Sequence, residues 1–211
     1  MKDARALLAI LLLFLLAAPS AQAQSNKDWR GDFQSLRKAG AALKSIQADF
    51  TQEKQLAILA NPLLSQGRLL YQAPDALRWE YIKPMPSLLL LHGKKASRFN
   101  RKDGRWVPDA AERIQAMRLV LEEIRLWLSG RYEDSGVFTT ELVTEPSPRL
   151  RLTPKSPEMA KIIQGIVLHL AEKPGQLEKV EIIEGPKSKT ILTFHNIQTD
   201  KPIEKGLFSK P

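Results

Sequence analysis

The sequence predicts a mainly β, α+β chain: one meandering antiparallel sheet accompanied by two helices. Three observations carry this. Apolar and polar residues alternate over most segments between residues 45 and 197, the period of strands with one buried face. Helical spacing precedes that period at residues 28–43 and interrupts it once, at 114–128. Pro, Gly and Asn punctuate the alternating stretches at short intervals, as hairpin turns require.

Each element follows from its residues. Asp28–Leu43 places Trp29, Phe33, Leu36 and Leu43 at helix-like spacings, with Gly40 near the end. In Ser45–Gln55, Ile46, Ala48 and Phe50 alternate with Gln47, Asp49 and Thr51 until Asn61-Pro62 breaks the pattern. Leu69 and Tyr71 share a parity in the next strand. After the turn Ala73-Pro74-Asp75, Leu77, Trp79 and Tyr81 alternate with Arg78 and Glu80. Pro84 and Pro86 confine the next piece to an edge or a kink, followed by a hairpin around His92-Gly93 and a strand at Gly104–Pro108. Ile114, Met117, Leu121, Ile124 and Leu128 are spaced 3, 4, 3 and 4, an apolar helical stripe that Gly130 ends. Strands resume at Phe138–Val143, Arg149–Pro154, Ile162–Leu170, Leu177–Glu184 and Thr190–Ile197. Such a sheet can bury one face under permanently packed helices, or keep one helix as a removable lid over an apolar cavity. Periodicity does not separate these two.

The first residues read as a cleaved secretory signal. Lys2 and Arg5 precede the apolar run Ala6–Ala18, and Ala21-Gln22-Ala23 is a small-x-small cleavage site. The run is shorter than the roughly 20 apolar residues of a membrane span. The expected mature chain, residues 24–211, is a single exported domain, periplasmic, unlipidated and monomeric. It has no cysteine, so disulfides, thiolate chemistry and cysteine metal sites are excluded, and the core alone must hold it. The formal net charge of +9 points to an acidic partner or an anionic membrane, and nucleic acid is a poor fit behind a secretion signal. The densest basic cluster is Lys94, Lys95, Arg98, Arg101, Lys102 and Arg105. It reads as a solvated hairpin edge that discourages strand pairing, or as a partner or membrane docking surface.

Catalytic signatures are lacking. His92, His169 and His195 are scattered outside any metal-ligand spacing, and there is no nucleophile elbow, phosphate loop or dinucleotide fingerprint. Glu122-Glu123 and Glu133-Asp134 sit where solvation accounts for them. The expectation is a protein without catalytic residues, metal or cofactor.

The motifs Ile46–Gln52 (IQADFTQ), Gly67–Pro74 (GRLLYQAP), Leu77–Pro84 (LRWEYIKP), His92-Gly93-Lys94, Arg151–Lys155 (RLTPK) and Thr190–Pro211, with Phe208 near its end, occur in an order that resembles the LolA-type carriers of outer-membrane lipoproteins. The resemblance implies an unclosed, strongly curved antiparallel β-barrel with helices covering its concave face, and a hollow that shields acyl chains in transit from inner to outer membrane. On this view Phe50, Leu69, Tyr71, Leu77, Trp79 and Tyr81 line the cavity, and Ile114, Met117, Leu121, Ile124 and Leu128 form the underside of the lid. The implied partners are an acylated lipoprotein or other lipid, an inner-membrane transporter and an outer-membrane acceptor. A cysteine-free chain does not match the acceptor, which is itself a lipoprotein. Two departures stand out. Ala73 occupies the position before the turn proline where well-known carriers have a lid-latching arginine, and the chain stops at Pro211 where they continue. Both leave room for a relative that carries another lipid or fatty acyl product with a dedicated exporter. An exported lipid-cleaving enzyme and a sheet with a filled core are the remaining alternatives.

Overall fold

A computed structural model describes residues 31–211, with the side chains of residues 111–113 and 115–117 outside the description. The signal-peptide reading and Trp29 lie outside the described residues.

The first helix, α1 (Phe33–Ala42), begins where Asp32 accepts a hydrogen bond from the Ser35 amide at 2.8 Å and so satisfies an amide the helix start leaves open. It buries Leu36. Six strands follow: β1 (Ser45–Gln55), β2 (Leu63–Gln72), β3 (Ala76–Lys83), β4 (Ser87–His92), β5 (Lys95–Lys102) and β6 (Arg105–Pro108). A long helix, α2 (Ala111–Leu128), leads to β7 (Phe138–Val143), β8 (Arg149–Pro154), a short helix α3 (Pro157–Ala160), β9 (Gly165–Leu170), β10 (Leu177–Gly185) and β11 (Ser188–Thr199). A 3-10 turn, Lys205–Phe208, ends the described chain.

All eleven strands form one unclosed, curved antiparallel sheet in the order β6-β5-β4-β3-β2-β1-β11-β10-β9-β8-β7. It is therefore two meanders joined along β1 and β11, with β6 and β7 as its edges and α2 passing from one edge to the other. β1 alone pairs an early strand with a late one, Phe50 lying opposite Phe194 on one side and Gly67 on the other. Register breaks between β1 and β11, β2 and β3, and β9 and β10 add local bend and twist, which curves the sheet around its apolar face.

The period-two reading holds on the inner face: Ile46, Ala48, Phe50, Leu69, Tyr71, Leu77 and Trp79 are all buried. Three details differ from expectation. β4 is paired on both sides, so Pro84 and Pro86 do not mark an edge; they occupy the connection before it, where no ladder bond is needed. The strand expected from Ile162 starts at Gly165, because Ser156 caps α3 through the Met159 amide and leaves Ile162 66% exposed. The first helix, expected from Asp28, is described from Phe33.

The outer face of β2 and β3 is covered as well. Leu70 and Ala76 form a small second cluster with Phe208. Arg78, also on this face, donates from Nη1 to the carbonyls of Leu207 and Lys210, both at 3.0 Å, and from Nε and Nη2 to Glu80 at 3.0 and 2.9 Å. The C-terminal segment is thus fastened by a buried, charge-assisted clamp.

Candidate functional site

Four aromatic rings dominate the inner face. Phe50 lies tilted by 35° against Trp79 with centroids 4.5 Å apart and meets Tyr81 edge-on at 5.3 Å; Phe194 and Trp79 meet edge to face at 6.3 Å. Such tilted and edge contacts suit the ring quadrupoles. Gly67 makes the arrangement possible, because a Cβ there would stand 2.3 Å from the Phe50 ring and 2.2 Å from the Glu80 carbonyl oxygen. That is the structural reason a glycine leads the GRLLYQ strand.

Over these rings lies α2. Of the expected lid stripe, Leu121, Ile124 and Leu128 are buried, Ile114 is half-buried, and the side chain of Met117 is outside the description. Leu126 and Trp127 are buried too, and Trp127 Nε1 has no hydrogen-bond partner. The helix is pinned at its C-terminal end. Gly40 of α1 approaches Gly130 so closely that a Cβ on Gly40 would fall 2.5 Å from the Gly130 Cα. Farther along α2, the Ser135 hydroxyl donates to Glu123 at 2.9 Å. Burial pushes the Glu123 carboxyl above its ordinary pKa; the Ser135 hydrogen bond and the Lys155 charge pull it back only in part.

Between helix and sheet remains an apolar cavity of about 100 Å³, lined by Trp79, Tyr81, Leu89, Val120, Leu121, Ile124, Trp127, Ile182 and Leu192, with Gln52 and Thr190 at its border. Tyr81 donates to Gln52 at 2.8 Å. The same two residues also border an open cleft of about 540 Å³, which continues to Pro84, Met85 and Pro86 and to Arg98, Arg101 and Lys102. Burial raises the Tyr81 hydroxyl above its ordinary pKa, with the Arg98 charge acting against it. The hollow therefore has a dry end beneath the helix and a wet, cationic end outside it.

Trp79, Tyr81, Leu121 and Ile124 meet around the apolar cavity. Phe50 and Leu77 lie in the same buried cluster, Leu69 borders a smaller gap beside Ile46 and Leu128, and Tyr71 is buried nearer the Arg125 and Ser129 end of the helix. Strand alternation divides the six cations of the basic cluster. Arg98 and Lys102 face the concave side with Arg105, whereas Lys95 and Arg101 share the face of Ser97, and Lys94 lies at the opposite end of the hairpin. Arg98 lies 3.3 Å from Asp109, and the Arg101 guanidinium sits 5.3 Å from the centre of the Trp106 ring. The cluster thus lies along the β5–β6 hairpin at the edge of the sheet, as the edge reading expected, with its cations turned to both faces. Ala73 packs against the core and offers no latch, while Arg68 pairs with Asp49 at 3.4 Å.

Trp127, Val120, Leu192 and Phe194 were not anticipated here. Trp127 lies three residues after Ile124, a helical neighbour the stripe could have included. Phe194 stands directly opposite Phe50, a pairing only the β1–β11 register reveals. No group of three or more potential ligands for a metal occurs among the described residues, and no described helix is long and apolar enough to cross a membrane. His169 pairs with Glu181 at 2.9 Å and His195 with Thr51 at 3.1 Å.

The chain is an unclosed antiparallel half-barrel with an apolar hollow beneath one helix. Residues 41–210 match the family model of the outer membrane lipoprotein carrier protein LolA, and the chain belongs to that family. It is 25% identical to outer-membrane lipoprotein carrier proteins of Cupriavidus necator and Cupriavidus taiwanensis, in each case over 95% of this chain and 89% of the relative. Among solved structures it is similar to a LolA superfamily protein from Nitrosomonas europaea, with 10% identity, a TM-score of 0.44, and coverage of 84% of this chain and 97% of that one. A carrier-like role follows from the family.

Proposed function

We propose that this protein is a periplasmic carrier that shields the acyl chains of lipoproteins beneath α2 and moves them from inner to outer membrane. It would take cargo from an inner-membrane transporter and yield it to an outer-membrane acceptor. The observation that supports this is the apolar lining on both walls of a hollow too small for cargo. About 100 Å³ falls short of the roughly 300–1,000 Å³ of ordinary ligand sites, so an acyl chain enters only as the helix moves out.

Magnitudes explain why such a carrier releases its load. A single 16-carbon chain gains on the order of 12 kcal/mol on burial at about 0.8 kcal/mol per CH₂. Displacing α2 exposes Leu121, Ile124, Trp127 and Leu128, each worth roughly 1.5–3 kcal/mol when buried. For four side chains that is about 6–12 kcal/mol, which offsets half or more of the acyl term and lowers net affinity toward handover to a site with no lid to open.

Ala73, and the cations at the wet end of the cleft, favour a second reading: a free acyl lipid with an acidic headgroup. Native mass spectrometry of protein purified from a periplasm without detergent separates the two. A bound triacylated lipoprotein supports the first, and a fatty acid or phospholipid the second. A ligand-free protein that also rejects a fluorescent acyl probe overturns both.

A further inference from the structure

We propose that one end of the sheet docks on an anionic lipid bilayer. By register, the β1–β2, β3–β4, β5–β6 and β10–β11 connections all lie at that end. Six of the ten large apolar side chains exposed among the described residues fall in or beside the first two: Ile58, Leu59, Leu63, Leu64, Ile82 and Met85. Ile58 is 90% exposed, Met85 78% and Leu64 63%. Scattered exposed aliphatics are ordinary, but a cluster at one tip marks an interaction site.

The charge around this cluster selects its occupant. Lys83, Arg101, Lys102, Arg105 and Lys187 are exposed at the same end. The acids there are Glu53, Asp103, Glu184 and, in the β8–β9 connection that reaches the same end, exposed Glu158 beside exposed Lys155 and Lys161; Glu184 is held by Lys54 at 3.0 Å. Aliphatic tips beside a surplus of Lys and Arg fit the boundary of an acidic bilayer, where apolar groups enter the acyl region and cations meet headgroups. The cleft beside Tyr81 opens at this end, since Met85, Arg101 and Lys102 line it. A bilayer held there would face the wet end of the hollow.

This docking stands apart from the carrier reading and is tested without cargo. The exported protein is floated with vesicles of phosphatidylglycerol and phosphatidylethanolamine, and separately with pure phosphatidylcholine. The expected result is at least tenfold more protein on the anionic vesicles, falling as salt is raised. The double variants I58S/L64S and K83E/K187E should each lower that binding at least fivefold, while uptake of a fluorescent acyl probe stays as in the parent. Equal binding to both vesicles, or binding that neither variant reduces, overturns the proposal. So does an absence of vesicle binding, and a photo-crosslinking side chain at position 58 that captures a membrane protein would then reassign the tip to a protein partner.

Discussion

The two faces of β3 carry two different covers. Inward, Leu77 and Trp79 lie in the cluster that α2 closes with aliphatic and indole side chains; outward, Ala76 and Arg78 lie under the C-terminal segment. Burial is nearly equal, at 4% exposure for Trp79 and 8% for Arg78. What differs is directionality. Arg78 grips two carbonyls at fixed distances and angles, so the tail has one position. The packing of α2 on the rings is mostly non-directional, with the Ser135–Glu123 hydrogen bond as a single directional hold. On the carrier function proposed above, a cover that yields to cargo is held mainly by such packing, whereas a cover meant to stay is bonded.

Removing the inner ring gives the largest effect. Trp79→Ala should cost roughly 3–5 kcal/mol in urea unfolding, the usual range for a buried aromatic, and should also weaken binding of a fluorescent acyl probe. Lost stability with unchanged probe binding would make the inner face ordinary core and erase the contrast between the covers.

The outer clamp is expected to give about 2 kcal/mol on Arg78→Ala, within the range for hydrogen bonds to charged groups. Probe binding should stay as in the parent, while protease nicking of residues 205–211 accelerates. Impaired acyl binding in this variant would mean that the tail, too, takes part in cargo exchange.

Strand alternation made most of the inner face legible in the sequence, because a period of two needs no knowledge of partners. Phe50, Leu69, Leu77 and Trp79 could be placed on one side from their parity alone. The pairing of β1 with β11 could not, since nothing local in Ser45–Gln55 records a partner more than a hundred residues away. Phe194 was missed with it. The parity that turns Arg98 and Arg101 to opposite faces was legible too, but that both border the cleft beside Tyr81 was not, because no local pattern records that cleft. α2 was legible as a stripe, yet its anchorage through Gly40 and Gly130 joins residues remote in sequence.

The smallest effect tests how firmly α2 is held. Glu123 sits in α2 with one carboxyl oxygen on Ser135 and the other buried without a hydrogen-bond partner. Its folded pKa is raised above the ordinary value near 4.5, so the folded protein binds that proton more tightly than the unfolded chain. The stabilising contribution is therefore present below pH 4.5 and is lost as pH rises through the folded value. At neutral pH the helix holds an ionised carboxylate at a cost. Glu123→Gln keeps an oxygen to accept from Ser135 and removes the charge. The variant should melt at a higher temperature than the parent at pH 7, with the gap closing as pH falls toward 4. A higher melting point accompanied by slower acyl uptake would tie the strained carboxylate to lid release. A lower melting point at pH 7 would show instead that attraction to Lys155 outweighs desolvation, and α2 would then share the directional hold seen at Arg78.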